Sequence, residues 1–167
     1  MKVLLVGKNG HMVLRGIDVL SIIRLAKDYG LDTWEFYFVV WRDGATGKID
    51  PHPSPEDVEA GQGNWMIDEE NTYHLGEADR HIPNGDASKL ADALELALND
   101  VSDEWMKSGG YDFELADRAE HNEADRQTLR DWDMAYWSGP CGKAILRGII
   151  DLLRGGCCYF TSDLHCA

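Results

Sequence analysis

Positive charge is what this sequence has least of. Sixteen Lys/Arg stand against thirty Asp/Glu, for a formal net charge of −14. Such a balance repels phosphate backbones and anionic membranes, so direct nucleic-acid or membrane-surface binding is disfavoured and encounter with basic partners is favoured. Long apolar runs are also missing. The best stretch, 17–31, is broken by Asp18, Arg24, Lys27 and Asp28, short of the roughly 18 residues a membrane span needs. The opening MKVLLVGKNGH has too short an apolar run for a secretory signal. The expectation is a soluble chain that stays in the cytoplasm where it is made, or in the host cytoplasm if phage-encoded.

Several chemical signatures are absent as well. GATGK (44–48) and GPCGK (139–143) end in Gly-Lys, but neither has the G-x-x-x-x-G-K-[ST] spacing that wraps backbone N–H groups around phosphate. No G-x-G-x-x-G opens a helix after a strand, which removes the usual dinucleotide fingerprint. The four cysteines, Cys141, Cys157, Cys158 and Cys166, lie in the last 27 residues without a C-x-x-C pair. With His165 they would make an unusual zinc set, and reduced thiols are the default expectation. Cys141, after Gly-Pro, is a candidate helix-opening thiol. No cofactor is expected.

What is present reads as one α+β domain over 1–167. VLLVGKNGHMVL predicts a hairpin, Val3–Val6 with His11–Leu14, turning at Asn9-Gly10. IDVLSIIRLAKDYGL has apolar residues at helical intervals and a Gly30 stop with Leu31 behind it. TWEFYFVVW (33–41) predicts a central strand buried on both faces. Residues 42–64, crowded with proline and glycine, predict a turn and a long exposed loop. Edge strands are expected near Met66–Ile67 and Thr72–Leu75. The clearest helix is 86–101, with Asp86 or Ser88 as N-cap. Another follows Pro140, stacking Ile145, Leu146, Ile149, Ile150, Leu152 and Leu153 before Gly155-Gly156. A short, mainly antiparallel sheet, closed by a strand near 157–161, would then be covered on one face by helices 18–29, 86–100 and 142–154.

The run Asp86-Ala87-x-x-Leu90-Ala91-x-Ala93-Leu94-Glu95-x-Ala97-Leu98-x-Asp100 resembles a pattern in small bacterial and phage proteins without an assigned activity. Leu25-Ala26-x-x-x-Gly30 and Gly155-Gly156 before Phe160 are similar in the same way. The resemblance covers about a quarter of the chain. It implies a bacterial or phage origin and no particular activity.

The negative charge is concentrated. Residues 1–48 are net +2 and 134–167 net +1, whereas 49–133 carry six bases and twenty-three acids. Within that region ELADRAEHNEADRQTLRDWD (114–133) holds seven carboxylates, with no large aliphatic side chain between Leu115 and Leu129. As one helix over 112–133, it would step Glu114, Asp117, Glu120 and Glu123 around half a cylinder, where like charges repel by a few tenths of a kcal/mol per pair. The expected reason is a basic partner. Asp112, Glu114, Asp117, Glu120, Glu123, Asp125, Asp131 and Asp133 would mimic a run of phosphates, with Trp132, Tyr136 and Trp137 as apolar anchors. The partner expected is a nuclease or other nucleic-acid-binding protein, the role that of a phage anti-defence DNA mimic or a toxin immunity protein; the segment 102–138 need not be ordered alone, and a homodimer is compatible.

A second class of function also fits. A small-molecule or nucleotide pocket, or a metal-dependent enzyme, would use the 65–85 region, with Tyr73, His74 and His81 lining it. Asp68, Glu69, Glu70, Glu77 and Asp79 stand nearby, as do His121, Glu123 and Asp125 further along, as possible Mg²⁺ or Mn²⁺ ligands. A structural role in a virion is a third option.

Overall fold

A computed structural model describes residues 1–32, 39–70, 72–73, 77–109 and 112–162. Strands β1 (Lys2–Gly7) and β2 (Gly10–Arg15) form the expected hairpin. Gly7 pairs with Gly10, so Lys8-Asn9 is the two-residue turn rather than Asn9-Gly10. The strands thus extend one pair further than the sequence suggests. The Lys8 N–H bonds the Gly156 carbonyl at 3.2 Å, tying the turn to the far end of the chain.

Helix α1 (Gly16–Asp28) follows without a loop, and the Asp18 carboxylate accepts the Arg15 N–H at 2.6 Å across its first turn. Val19, Ile22, Leu25 and Ala26 form its buried stripe. Gly30, at φ +93°, ends it as the sequence predicts. The N–H of Leu31 reaches the Ala26 carbonyl at 3.0 Å and that of Gly30 the Lys27 carbonyl at 3.1 Å, the paired bonds of a Schellman stop.

The strand expected at the centre of the main sheet instead centres a second one. Residues 33–38 of that prediction lie outside the described residues. The observed β3 (Val39–Asp43) runs between β4 (Ile49–Asp50) and β5 (Gly63–Ile67). The 42–64 stretch is therefore not one exposed loop. Asp43 accepts the N–H groups of Ala45 and Thr46 in a tight turn, and Ser54 caps the short helix α2 (Pro55–Glu59). Trp41 and Trp65 meet edge to face at 4.7 Å. Gly63 is obligatory there, since a Cβ would lie 2.2 Å from the Arg42 carbonyl oxygen and 2.7 Å from the Trp41 ring.

The main sheet is completed by β6 (Arg80–Ile82) and β7 (Cys158–Ser162) in the order β2-β1-β7-β6, all antiparallel. The edge strand expected at Thr72–Leu75 is instead β6; Thr72 and Tyr73 are not in a strand, and His74 and Leu75 lie outside the described residues. Helices α3 (Asn84–Asp100) and α6 (Gly139–Gly155) share one core with α1 and β1. Leu90, Leu94, Leu146, Ile149 and Leu153 are essentially sealed, each burial contributing about 1.5–3 kcal/mol. Ile145 is 44% exposed and Leu152 only partly buried, because the stripe on α6 runs through 146, 149, 150 and 153. The GPCGK segment forms the first turn of α6 rather than a free turn.

The described residues of the acidic segment form two helices, α4 (Phe113–Ala119) and α5 (Glu123–Tyr136). Asn122 ends the first run and starts the second by accepting the N–H groups of Ala124 and Asp125. The pair buries a small core of its own, Leu115, Ala119 and Leu129 with Trp132 packed against it. A buried carboxylate is among the contacts that fasten it to α1. Asp133, 3% exposed, receives Arg24 Nε at 2.8 Å, Arg24 Nη2 at 2.6 Å and the Ser21 hydroxyl at 2.8 Å. Ser21 in turn accepts the Trp137 indole N–H at 2.9 Å.

Breaking this fastening leaves a buried charge unmatched, which costs about 3–5 kcal/mol. Arg24→Ala and Asp133→Ala should each fall near the lower end of that range in urea unfolding, since Arg24 keeps 22% of its side chain exposed. The double variant Arg24→Ala/Asp133→Ala should lose clearly less than the sum of the two. Additive losses would show that the pair is not coupled.

Candidate functional site

The eleven residues expected to face a partner divide by burial. Glu114, Asp117, Glu120, Glu123 and Asp131 are exposed, and Asp112 and Asp125 are half-buried. Asp112 caps α4 through the Leu115 N–H, Asp131 accepts the Gln127 amide, Asp125 pairs with Arg118 at 3.4 Å and Glu123 with Arg126 at 3.0 Å. Glu114, Asp117 and Glu120 are exposed and form no ion pair among the described residues, while Arg126 Nη2 donates to the Glu120 carbonyl at 3.4 Å. The break at 120–122 ends the single-cylinder arrangement: Glu123 begins a different helix from Glu114 and Asp117.

Asp133 and Trp137 are corrections to the expected surface. Both are buried, Trp137 at 2% exposed, and both are spent on the contact with α1. Tyr136 is half-buried; its hydroxyl donates to Asp18, receives Arg15, and lies under the Arg15 guanidinium, 5.7 Å from the ring centre. Burial, then the Asp18 hydrogen bond, pushes its pKa up to about 12. Trp132 is half-buried, with Gly109 pressed so closely on its ring that a Cβ there would lie 2.0 Å away.

The exposed apolar side chains are others. Trp105 is 74% exposed, Met106 53% and Phe113 71%. The irregular segment carrying the first two is held by hydrogen bonds at 102, 106 and 108. Ser102 accepts the Gly139 N–H at 2.9 Å, Ser138 Oγ accepts the Met106 N–H at 2.7 Å, and Ser108 Oγ donates to the Trp132 carbonyl at 3.1 Å. The sequence signal for these residues was slight: Trp105 and Met106 stand after the helix stripe ends at Val101, in a stretch with no apolar period.

A second feature lies where the alternative reading placed a pocket. A cavity of about 390 Å³ opens between α2, β5 and the β6–β7 edge. The His81 ring sits between Trp65 (5.1 Å) and Tyr159 (5.0 Å), and its Nε2 is buried without a partner. Burial drives its pKa down to about 4, against the raising pull of Asp79 and Asp50 and with a small further lowering from His52. Cys157 stands at the rim with φ +54°, a strained value for a residue with a Cβ. Asn84 accepts its N–H at 2.9 Å and Glu59 its thiol proton at 3.3 Å. Burial and the Glu59 contact raise the thiol pKa, which is the wrong direction for a nucleophile at neutral pH. Tyr73 gives its N–H to Asp68 and does not line the cavity; His74 is outside the described residues.

Among the described residues no three His, Cys, Asp or Glu side chains are placed to share an ion. Cys141 opens α6 while Cys157 and Cys158 follow its end, roughly 20 Å away along the axis; His165 and Cys166 lie outside the described residues. Asp68 is consumed by Tyr73, Thr72 and the buried Arg80, and Asp79 by His52 at 3.2 Å. Among the described residues no helix is long and apolar enough to cross a membrane. No family model matches the chain, and no curated protein or solved structure matches it either.

His81 has a measurable consequence. It is neutral in the folded protein down to about pH 4, whereas in the unfolded chain it takes a proton near pH 6.5. The unfolded state therefore binds more protons in this window, and about 3 kcal/mol of stability present above pH 6.5 is lost as pH falls to 4. Urea midpoints across pH 4–7 should show that decline, and His81→Phe should flatten it. An equally steep decline in the variant would place the titration elsewhere.

Proposed function

We propose that this protein is a non-enzymatic acidic binding protein that engages and blocks a basic protein, of the nuclease or nucleic-acid-binding kind. The observation that carries the reading is a set of exposed apolar side chains, close in the chain to exposed carboxylates. Trp105 and Met106 stand out from the segment held by Ser102, Ser108 and Ser138, Phe113 is exposed at the start of α4, and Glu104, Glu114, Asp117 and Glu120, all exposed, flank them in the chain. Trp105, 74% exposed on a segment tied down by hydrogen bonds, has the aromatic chemistry that interfaces use. In protein interfaces such side chains supply most of the affinity, and surrounding charge supplies encounter rate and selectivity. The anchors are thus Trp105 and Phe113, in place of the buried Trp137.

The sign of the charge selects the partner. Carboxylates on a rigid hairpin repel nucleic acid and attract the groove that would bind it. Two roles have that physics: a mimic of duplex DNA that silences a host defence protein, and an immunity protein that neutralises a toxin. Both are consistent with the bacterial or phage origin implied by the α3 sequence pattern.

The test is affinity capture from bacterial lysate, followed by kinetics on the purified partner. The partner should be basic, should be displaced by duplex DNA, and should lose at least about tenfold in affinity between roughly 0.1 and 0.5 M salt. Trp105→Ala should speed dissociation by tenfold or more, about the 2 kcal/mol of a hot spot. Glu114→Gln/Asp117→Asn/Glu120→Gln should instead slow association by about tenfold at low salt. A partner held equally at both salt concentrations, or one insensitive to all four changes, contradicts the reading.

A further inference from the structure

We infer that the cavity between α2 and the β6–β7 edge is a binding site for a small planar heteroaromatic compound, neutral or cationic, that carries an amine or ring N–H donor. This is independent of the partner-binding surface, and either can fail without the other.

The volume, about 390 Å³, falls within the range of about 300–1,000 Å³ usual for small-molecule sites. One wall is a row of three rings. Trp65, His81 and Tyr159 follow one another at 5.1 and 5.0 Å, tilted by 40° and 32°. A flat aromatic guest adds to such a row by offset stacking, and Val58 and Ile82 supply apolar flanks.

Charge narrows the class. The lining holds one carboxylate, Glu59, and no lysine or arginine among the described residues. Glu59 Oε1 takes the Cys157 thiol proton and lies 4.0 Å from Lys8 Nζ, which leaves Oε2 for a donor on the guest. An anionic guest such as a nucleotide or an aromatic acid would bring its charge beside Glu59 with no cation lining the wall to answer it.

Two further features mark the cavity as a built site. His81 is 6% exposed, and its buried Nε2 has no partner, an arrangement that folding alone does not favour. At the opposite rim Cys157 is kept in left-handed backbone by the Asn84 side chain, and strain of this kind gathers at ligand clamps.

The experiment is a two-dimensional amide NMR titration of the intact protein near pH 6.5. The probes are adenine (neutral) and 2-aminobenzimidazole (cationic), with adenosine monophosphate and benzoate as anionic counterparts. At least one of the two bases should give saturable shifts centred on the Trp65 indole N–H and the amides of His81, Cys157 and Tyr159, with Kd below about 1 mM. Both anions should bind at least about tenfold more weakly. Glu59→Gln, a surface change that should fold, would weaken 2-aminobenzimidazole about tenfold while leaving adenine within about threefold. Trp65→Leu should abolish binding; if it does not fold, the wild-type and Glu59→Gln titrations decide alone. No saturable shift from either base at about 5 mM, shifts centred elsewhere, or anions binding as tightly as bases would overturn the proposal.

Discussion

The contact between Asp133 and Arg24 decides what the acidic half of this molecule can be. A hairpin of two short helices whose own core is Leu115, Ala119, Leu129 and part of Trp132 buries too little to stand alone. The Asp133 carboxylate, met by both ends of the Arg24 guanidinium and by Ser21, turns that hairpin into a fixed part of the domain. Trp137 completes the joint by filling the main core and donating to the same serine. Asp133 is buried while Arg24 keeps part of its side chain in water, so removing Arg24 strands a buried carboxylate.

Once the hairpin is fixed, its remaining acids have a defined place to stand. Elsewhere much of the negative charge is answered. Arg154 holds Asp92 and Glu95, Lys143 holds Asp103, and Arg80 holds Asp68. On α4 Glu114 and Asp117 have no ion pair among the described residues, and the segment before it exposes Trp105 and Met106. A fold under pressure only for stability would tuck in those apolar side chains and space out those carboxylates. Preorganisation makes sense of both, since a rigid charged surface loses little entropy when a partner docks.

Much of the fold was legible in the sequence because its main elements carry strong periodicity. The presence of the β1–β2 hairpin, the Gly30 stop and the stripes of α1 and α3 follow from spacing alone, whereas the α6 stripe came out as 146, 149, 150 and 153 without Ile145 and Leu152. The division into two sheets did not, since β4 has two residues and β6 three, too few for a period to show. Asn122 was a readable cap, with Glu123 and Asp125 in the turn behind it, yet the density of acids suggested one continuous helix. Among seven similar carboxylates, nothing local distinguishes Asp133. Its difference comes from Ser21 and Arg24, one helical turn apart on α1 and more than a hundred positions away. The same holds for the His81 cavity: the region was legible as a candidate, while the row of rings depends on register between β6 and β7.

Hydrogen–deuterium exchange of the protein, free and bound to its salt-sensitive partner, tests the central claim most directly. Docking on the acidic hairpin and its apolar approach predicts new protection confined to about residues 103–120, with β5, β6 and β7 unchanged. Protection centred on the strands around His81, or none between 103 and 120, would contradict it.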